Sequence, residues 1–389
     1  MNKKFNLNFF SDQKFRSLFY QTLVVGLFAL GIYYLTMTTA HNLEKRNIAT
    51  GWNFLNNPAG FDISFSPFLD FKSTDTHLKV YYVGVLNTLL VSFTGCIAAT
   101  ILGFVIGIIR LSNNWLLSRT AYVYVEFCRN IPLILQIILW YSILLLMPRI
   151  KQAIEVVNGF FISNRGLYSP RPVYESGFSI VFFVFIVGIV ASVWIAKWSK
   201  KRQEKTGERF PVLWTSLALI VLLPIVFFFI LGSPITFEYP VLKGFNFKGG
   251  MVIRPEFIAM FLALSIYTGA FISETVRSGI LSVTKGQREA SAALGLKATW
   301  IMRLIIIPQA LRVIIPPLTS QYLNLTKNSS LGIAVGYADL VHGFGGISLN
   351  QTGQAIECMV ITMATYLVIS LTISFFMNIY NRSIQFKEK

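Results

Sequence analysis

Charge is scarce in this chain. Asp, Glu, Lys and Arg make up 13% of its 389 residues, and only 17 of them are acidic. A soluble globular domain carries about 25% charged residues, so a water-exposed surface of ordinary composition is excluded. Cysteine is sparser still: Cys96, Cys128 and Cys358 show no C-x-x-C spacing, and His41, His77 and His342 are equally scattered. That excludes a disulfide framework and a metal site of the usual spacings. No G-x-x-x-x-G-K-[ST] is present, so the chain has no P-loop with which to hold ATP. The apolar stretches offer no nucleophile paired with a base, as an intramembrane enzyme would need.

What is abundant is hydrophobic surface. Apolar residues reach 54%, aromatics 15%, and the mean hydropathy is +0.59. The expected fold is therefore an all-α polytopic membrane protein. A net charge of +17 would suggest nucleic acid in a soluble chain. Here the charges sort by membrane side, and no nucleic-acid partner is expected.

Eight apolar runs read as membrane spans: 17–40, 83–109, 131–147, 178–196, 212–231, 257–277, 313–336 and 360–380. The first is longer than the roughly 7 to 15 apolar residues of a signal peptide, so it reads as an uncleaved span. Residues 41–79, rich in aromatics, Pro and Asn, suit a loop on the outer membrane surface. Residues 115–130 suit an interfacial helix, and 149–177 show no strong pattern. With the N-terminus in the cytoplasm, inner segments collect 22 of the 34 Lys and Arg residues. Net charge then divides as +15 inside and +2 outside, which places both termini in the cytoplasm.

The stretch 279–308, GILSVTKGQREASAALGLKATWIMRLIIIP, breaks the apolar pattern. Read as a short helix, EASAALG places Glu289, Ala292, Ala293 and Leu296 on one face with almost no side-chain bulk. Gly295 suits the left-handed residue that stops a helix, after which the chain restarts at Lys297. The expected product is a small cytoplasmic elbow.

Polar groups inside apolar segments are costly unless they pair or face a cavity. Glu274 and Arg277, three residues apart, suggest a structural ion pair that also involves Arg129. In 324–330 every residue except Leu325 can hydrogen-bond through its side chain. Lys327, Ser329 and Ser330 offer donors for an anionic group, and Asn324, Asn328 and Gln136 offer acceptors for a cationic one. Thr326 completes this candidate path or gate; an outer-surface turn touching no substrate is the alternative.

The elbow resembles the EAA loop of ABC-importer permeases through Glu289, Ala290, Gly295 and Pro308, with Ser291 where the second Ala usually stands. Upstream, Tyr267, Ala270, Glu274, Arg277, Gly279, Gly286 and Gln287 resemble the polar-amino-acid uptake branch, the histidine and glutamine permease-like family. NLTKNSSLG, through Leu325, Lys327, Asn328, Ser329, Ser330 and Leu331, and FCRNIPLILQ at 127–136 resemble two further segments of that branch. FYQTLVVG at 19–26 and NLEKRNIATGWNFLNNPAGFDI at 42–63 resemble the Q-type permease subunits of bacterial general L-amino-acid importers. The resemblance implies a type I permease core of five spans, the second, third, sixth, seventh and eighth. It implies three segments: 1–80 carrying the first span, 81–385 as permease domain with a two-helix insertion at 149–254, and the coupling loop at 279–308. It further implies that Glu289, Ala290, Ala293 and Gly295 meet a separate ATPase, present in two copies, which binds ATP and Mg. This chain itself would need no cofactor. A second, homologous permease completing a heterodimer, a periplasmic amino-acid-binding protein and the lipid bilayer are the remaining implied partners. An ion-coupled secondary transporter is the rival class; it would more often carry acidic residues within spans and internal repeats.

Overall fold

The computed structural model describes residues 13–45, 49–208 and 210–384. The basic residues counted at 1–12 and 385–389, with Arg46 and Arg209, lie outside the described residues. In hydrocarbon a chain must satisfy its own backbone hydrogen bonds, so apolar runs of about 20 residues become helices. The helices are α1 Gln13–Lys45, α2 His77–Ile109, α3 Trp115–Asn130, α4 Leu133–Leu145, α5 Phe178–Thr206, α6 Val212–Leu217 and α7 Leu223–Ile230. They continue as α8 Pro255–Leu281, α9 Lys285–Ala293, α10 Ala298–Ile301, α11 Ile307–Asn328, α12 Leu349–Thr352 and α13 Ala355–Ile384.

Among the described residues seven helical stretches are long and apolar enough to cross a membrane, or eight if α3 and α4, bent by 105° to each other, form one span. The third expected span, 131–147, is thus only half of one. α4 alone has 13 residues, about 20 Å of helix against about 30 Å of hydrocarbon. Its break follows from local chemistry. Pro132 has no N–H, and Ile131 before it is extended, at φ −98 and ψ 127. The Gln136 amide donates to the carbonyls of Cys128 (2.9 Å) and Ile131 (3.0 Å), which the break would otherwise leave unpaired. α3 starts where expected because the Asn114 side chain accepts from the N–H groups of Leu116 and Leu117.

The chain divides into two compact units, residues 1–113 with 271–389, and residues 114–270. In the first, residues 49–76 pack through a few buried residues against the helices. Phe54 and Ala59 are buried with Val80, Leu340, Phe344 and Cys358, and Gly51 N–H donates to Glu357 Oε1 at 2.7 Å. Of the aromatics that suggested an interfacial loop, Phe54 and Phe65 are buried, whereas Trp52 and Phe68 stay 56% and 58% exposed. After α11 the chain continues as a 3₁₀ turn, Ser329–Val335, and then as the π-helical Leu340–Ser348, which packs along α2. Gly84 of α2 makes that approach feasible, because a Cβ there would lie 2.9 Å from Leu340 Cα. Asn87, 1% exposed, donates to the carbonyls of Phe65 and Ala338, both at 2.8 Å, and ties residues 49–76 and the π-helical segment to α2.

The second unit contains α3 to α7 and most of the strand structure. β1 Ile154–Val157, β2 Phe160–Ser163, β3 Gly166–Ser169 and β8 Met251–Ile253 form an antiparallel sheet in the order β1-β2-β3-β8. β4 Arg171–Tyr174 pairs with β5 Ile235–Glu238, and β6 Val241–Lys243 with β7 Asn246–Lys248. The architecture is helical as expected, with this small β module added within 149–254. Strands of three or four residues among prolines and glycines leave too short a pattern to read.

Candidate functional site

The elbow is built by α9 and the turn after it. Leu296 N–H bonds to Ser291 O at 3.3 Å and Gly295 N–H to Ala292 O at 2.9 Å. This is a Schellman motif, with Gly295 at its left-handed position, φ +78. Glu289, Ala290, Ala292, Ala293 and Gly295 are exposed, and Leu294 is 82% exposed. Ser291, at the position where the resemblance leads one to expect Ala, is the buried residue of the helix and donates to Gln287 O at 2.5 Å.

Two side chains brace the elbow. Arg288 donates to Ile280 O at the end of α8, 3.1 Å away, while Gln309 of α11 donates to Gln287 Oε1 and to Ile305 O at 3.0 Å. Pro308, at the start of α11, lacks an N–H and follows a π turn, Met302–Ile306, that widens the helix. Arg288, Gln309 and Leu294 were not singled out in the sequence. Leu294 alone carries a signal: a large apolar residue beside a glycine stop in a polar loop.

On α8, Glu274 accepts from Arg277 Nη2 at 2.7 Å and Nε at 3.2 Å, and its other oxygen pairs with Arg110 at the end of α2. The Arg110 side chain is only 7% exposed. Arg129 is the last residue of α3. Arg110 was missed because only the fold brings residue 110 to residue 274.

The segment 324–330 is helical to Asn328 and 3₁₀ beyond it. Its hydroxyls are mostly used internally: Thr326 donates to Tyr322 O (2.9 Å), Ser329 to Thr326 O (2.8 Å) and Ser330 to Lys327 O (2.7 Å). Leu325, Thr326 and Ser329 are buried, whereas Asn324 and Lys327, one turn apart, are exposed, with Asn328 half-buried beside them. Gln136 belongs to the other compact unit, and its amide N–H groups are occupied at the α3–α4 break. Thr326 also lines a cavity of about 670 Å³ between α2, α11 and α13, where Thr100 and Tyr322 are hydrogen-bonded at 2.7 Å. The cavity lining has no charged residue. Asp339, fully buried, accepts from His342 N–H at 2.8 Å and from Tyr366 OH at 3.3 Å; Tyr366 OH in turn lies 3.4 Å from Ser329 Oγ. Among the described residues no group of three or more His, Cys, Asp or Glu is arranged to hold a metal ion.

A family model described as the inner membrane component of binding-protein-dependent transport systems matches residues 188–386. The chain is 48% identical over 379 residues to the general L-amino acid transport system permease protein AapQ of Rhizobium johnstonii, covering 97% of this chain and 94% of that protein. It is 46% identical to the putative amino-acid ABC transporter permease protein YhdX of Escherichia coli, covering 98% and 97% of the two chains. It is 43% identical to the glutamate/glutamine/aspartate/asparagine transport system permease protein BztB of Rhodobacter capsulatus, covering 97% and 96%. With the family model spanning half of the chain and these relatives nearly all of it, the chain belongs to the inner membrane components of binding-protein-dependent transport systems.

Proposed function

We propose that this chain is a permease subunit of an ATP-driven importer that carries L-amino acids into the cytoplasm across a bacterial inner membrane. Three relatives named for amino-acid transport, each similar over nearly the whole chain, support the substrate class, and the family match favours this reading over an ion-coupled carrier. ATP and Mg are bound by a separate ATPase, present in two copies. A second, homologous permease completes a heterodimer, and a periplasmic binding protein delivers the substrate. Both termini lie in the cytoplasm. The permease domain spans 81–385, preceded by the 1–80 segment and interrupted by the 149–254 insertion.

The observation that carries this reading is the elbow at 279–308, where exposed Glu289, Ala290, Ala293 and Leu294 surround a left-handed Gly295. Small side chains let another protein approach the α9 backbone closely. Because α9 is braced to the end of α8 by Arg288 and to α11 by Gln287 and Gln309, a push on α9 moves both helices. α11 ends in the 324–330 segment. Closure of the ATPase pair thereby alters the side chains that hold substrate, and selection between two arrangements of the permease does the transport. At the segment, Lys327 meets the carboxylate, and the carbonyl oxygens of Asn324 and Asn328 accept from the ammonium. The ion pair of Glu274 with Arg277 and Arg110 is structural and locks α8 to α2.

Reconstituted with its partners, the Glu289→Lys or Gly295→Asp variant inserts normally and loses uptake. Normal uptake together with normal substrate-stimulated ATP turnover in both variants would remove the coupling role.

A further inference from the structure

The β module holds a cationic cleft outside the elbow and the 324–330 segment. Three segments of the second compact unit converge on it. The first is the chain leaving α4, which turns through a 3₁₀ segment, Ile150–Gln152, anchored by buried Ile150. The second is the β2–β3 turn, tied to the first by Asn164 N–H donating to Pro148 O at 2.9 Å. The third is the two-residue loop between β6 and β7, with Gly244 at φ +69. They enclose a space of about 790 Å³ lined by Arg149, Lys151, Gln152, Asn164, Arg165 and Phe245, together with the residues that lead out of α4.

The chemistry of this lining is one-sided. Arg149, Lys151 and Arg165 are all exposed, no carboxylate lines the cleft, and none of the three forms a salt bridge among the described residues. Lys151 lies over the Phe245 ring, 4.1 Å from its centroid. The surrounding segments, 149–177 and 232–254, carry seven Lys or Arg against three Glu. Unpaired cations that converge on one cleft repel each other, and an anion with several oxygens relieves that repulsion.

The position of the cleft chooses the anion. Arg149 follows the end of α4 by four residues, and the wall begins at Met147. Leu146, just before it, is 85% exposed, and Phe245, which also lines the cleft, is 80% exposed. An apolar helix end, a cationic cluster and an exposed aromatic in sequence are the layering of a membrane interface. A water-facing protein contact would not call for Leu146 and Phe245 to flank the charges. We propose that this cleft binds the phosphate headgroup of an anionic phospholipid, with Arg149, Lys151 and Arg165 on the phosphate oxygens and Leu146 and Phe245 against the glycerol and upper acyl chain. The bound lipid anchors the β module to the bilayer surface.

The test uses the full chain in its assembled complex, equilibrated with phosphatidylglycerol or phosphatidylcholine in mixed micelles, with bound lipid counted by native mass spectrometry. The native protein retains phosphatidylglycerol in preference to phosphatidylcholine. Combining Arg149→Gln, Lys151→Gln and Arg165→Gln lowers phosphatidylglycerol retention by about a hundredfold, from roughly 1 kcal/mol for each of the three lost cations, and leaves phosphatidylcholine unchanged. Exchanging Lys for Arg and Arg for Lys at the three positions restores retention. The absence of a phosphatidylglycerol preference in the native complex overturns the proposal whether or not any variant folds. So does equal retention in the Gln variant, or a Gln variant that keeps its lipid and loses only capture of free inorganic phosphate or of an acidic protein.

Discussion

Arg110, at the end of α2, and Glu274, within α8, form an ion pair in which the guanidinium side is 7% exposed and the carboxylate 30%. Glu274 also holds Arg277, whose side chain is 34% exposed. The two arginines therefore stand differently toward the same acid. Losing an ion pair to a charge held mostly out of solvent costs more than losing a half-exposed pair, which is worth about 0–1 kcal/mol. Glu274→Ala should lower the melting temperature of the purified assembly far more than Arg277→Ala does. Equal shifts would show that Arg110 draws no stability from Glu274.

Gly84 and Gly286 make a contrasting pair. A Cβ on Gly84 would press on the backbone of Leu340, whereas at Gly286 it would meet nothing within 4 Å. Gly84→Val should destabilise by roughly 1–3 kcal/mol, as overpacking does. Gly286→Ala should be neutral or stabilising by about 0.4–1 kcal/mol through reduced freedom of the unfolded chain. Thermal melts of the two variants decide it, and a stable Gly84→Val would contradict the close approach of α2 to the π-helical segment.

These contrasts show what could be read in advance. Seven of the spans were legible as long apolar runs, whereas the third expected span covers only α4 of a pair bent by 105°; the elbow was legible because Gly295 interrupts an Ala-rich stretch at a helix end. Gly84, by contrast, sits inside an ordinary apolar run and reveals its role only when residue 340 arrives beside it. The π-helical segment LVHGFGGIS resembles a loop by its glycines, although it is buried against α2. Nothing local to 49–76 says that Phe54 and Phe344 stack, with ring centroids 6.3 Å apart. The β module escaped notice because its strands are too short to show alternation.

Asp339 provides a pH dependence. Burial pushes its carboxyl up to about 7 from an ordinary 3.8, partly offset by the N–H of His342 and the hydroxyl of Tyr366. Raising a folded-state pKa means that the folded protein holds the proton more tightly than the unfolded chain does. This stabilising contribution is complete below pH 3.8 and is lost as pH rises through about 7. Asp339→Asn keeps an acceptor for the His342 N–H and has no charge to bury. The melting temperature of the Asn variant relative to the native protein should therefore rise from pH 5 to pH 7 and then level off. A constant difference across that range would show that Asp339 does not titrate there.

Within 324–330, the segment proposed to meet substrate, Lys327 is the one cation, and it shares an exposed face with Asn324. Lys327→Ala should weaken uptake of amino acids by about tenfold or more, since a lost charged hydrogen bond costs roughly 1.5–3 kcal/mol. Ser330→Ala should have little effect, because that hydroxyl bonds to the backbone of Lys327. Radiolabelled uptake in proteoliposomes distinguishes them. A larger loss for Ser330→Ala would move recognition away from Lys327.

The most direct test of the account asks where α9 lies and what covers it. With the three native cysteines replaced, Ala293→Cys is treated with a membrane-impermeant maleimide in intact cells, in opened membranes, and in opened membranes stripped of the ATPase. The account predicts no labelling in intact cells, slow labelling in opened membranes and fast labelling once the ATPase is removed. Labelling in intact cells, or a rate indifferent to the ATPase, would contradict it.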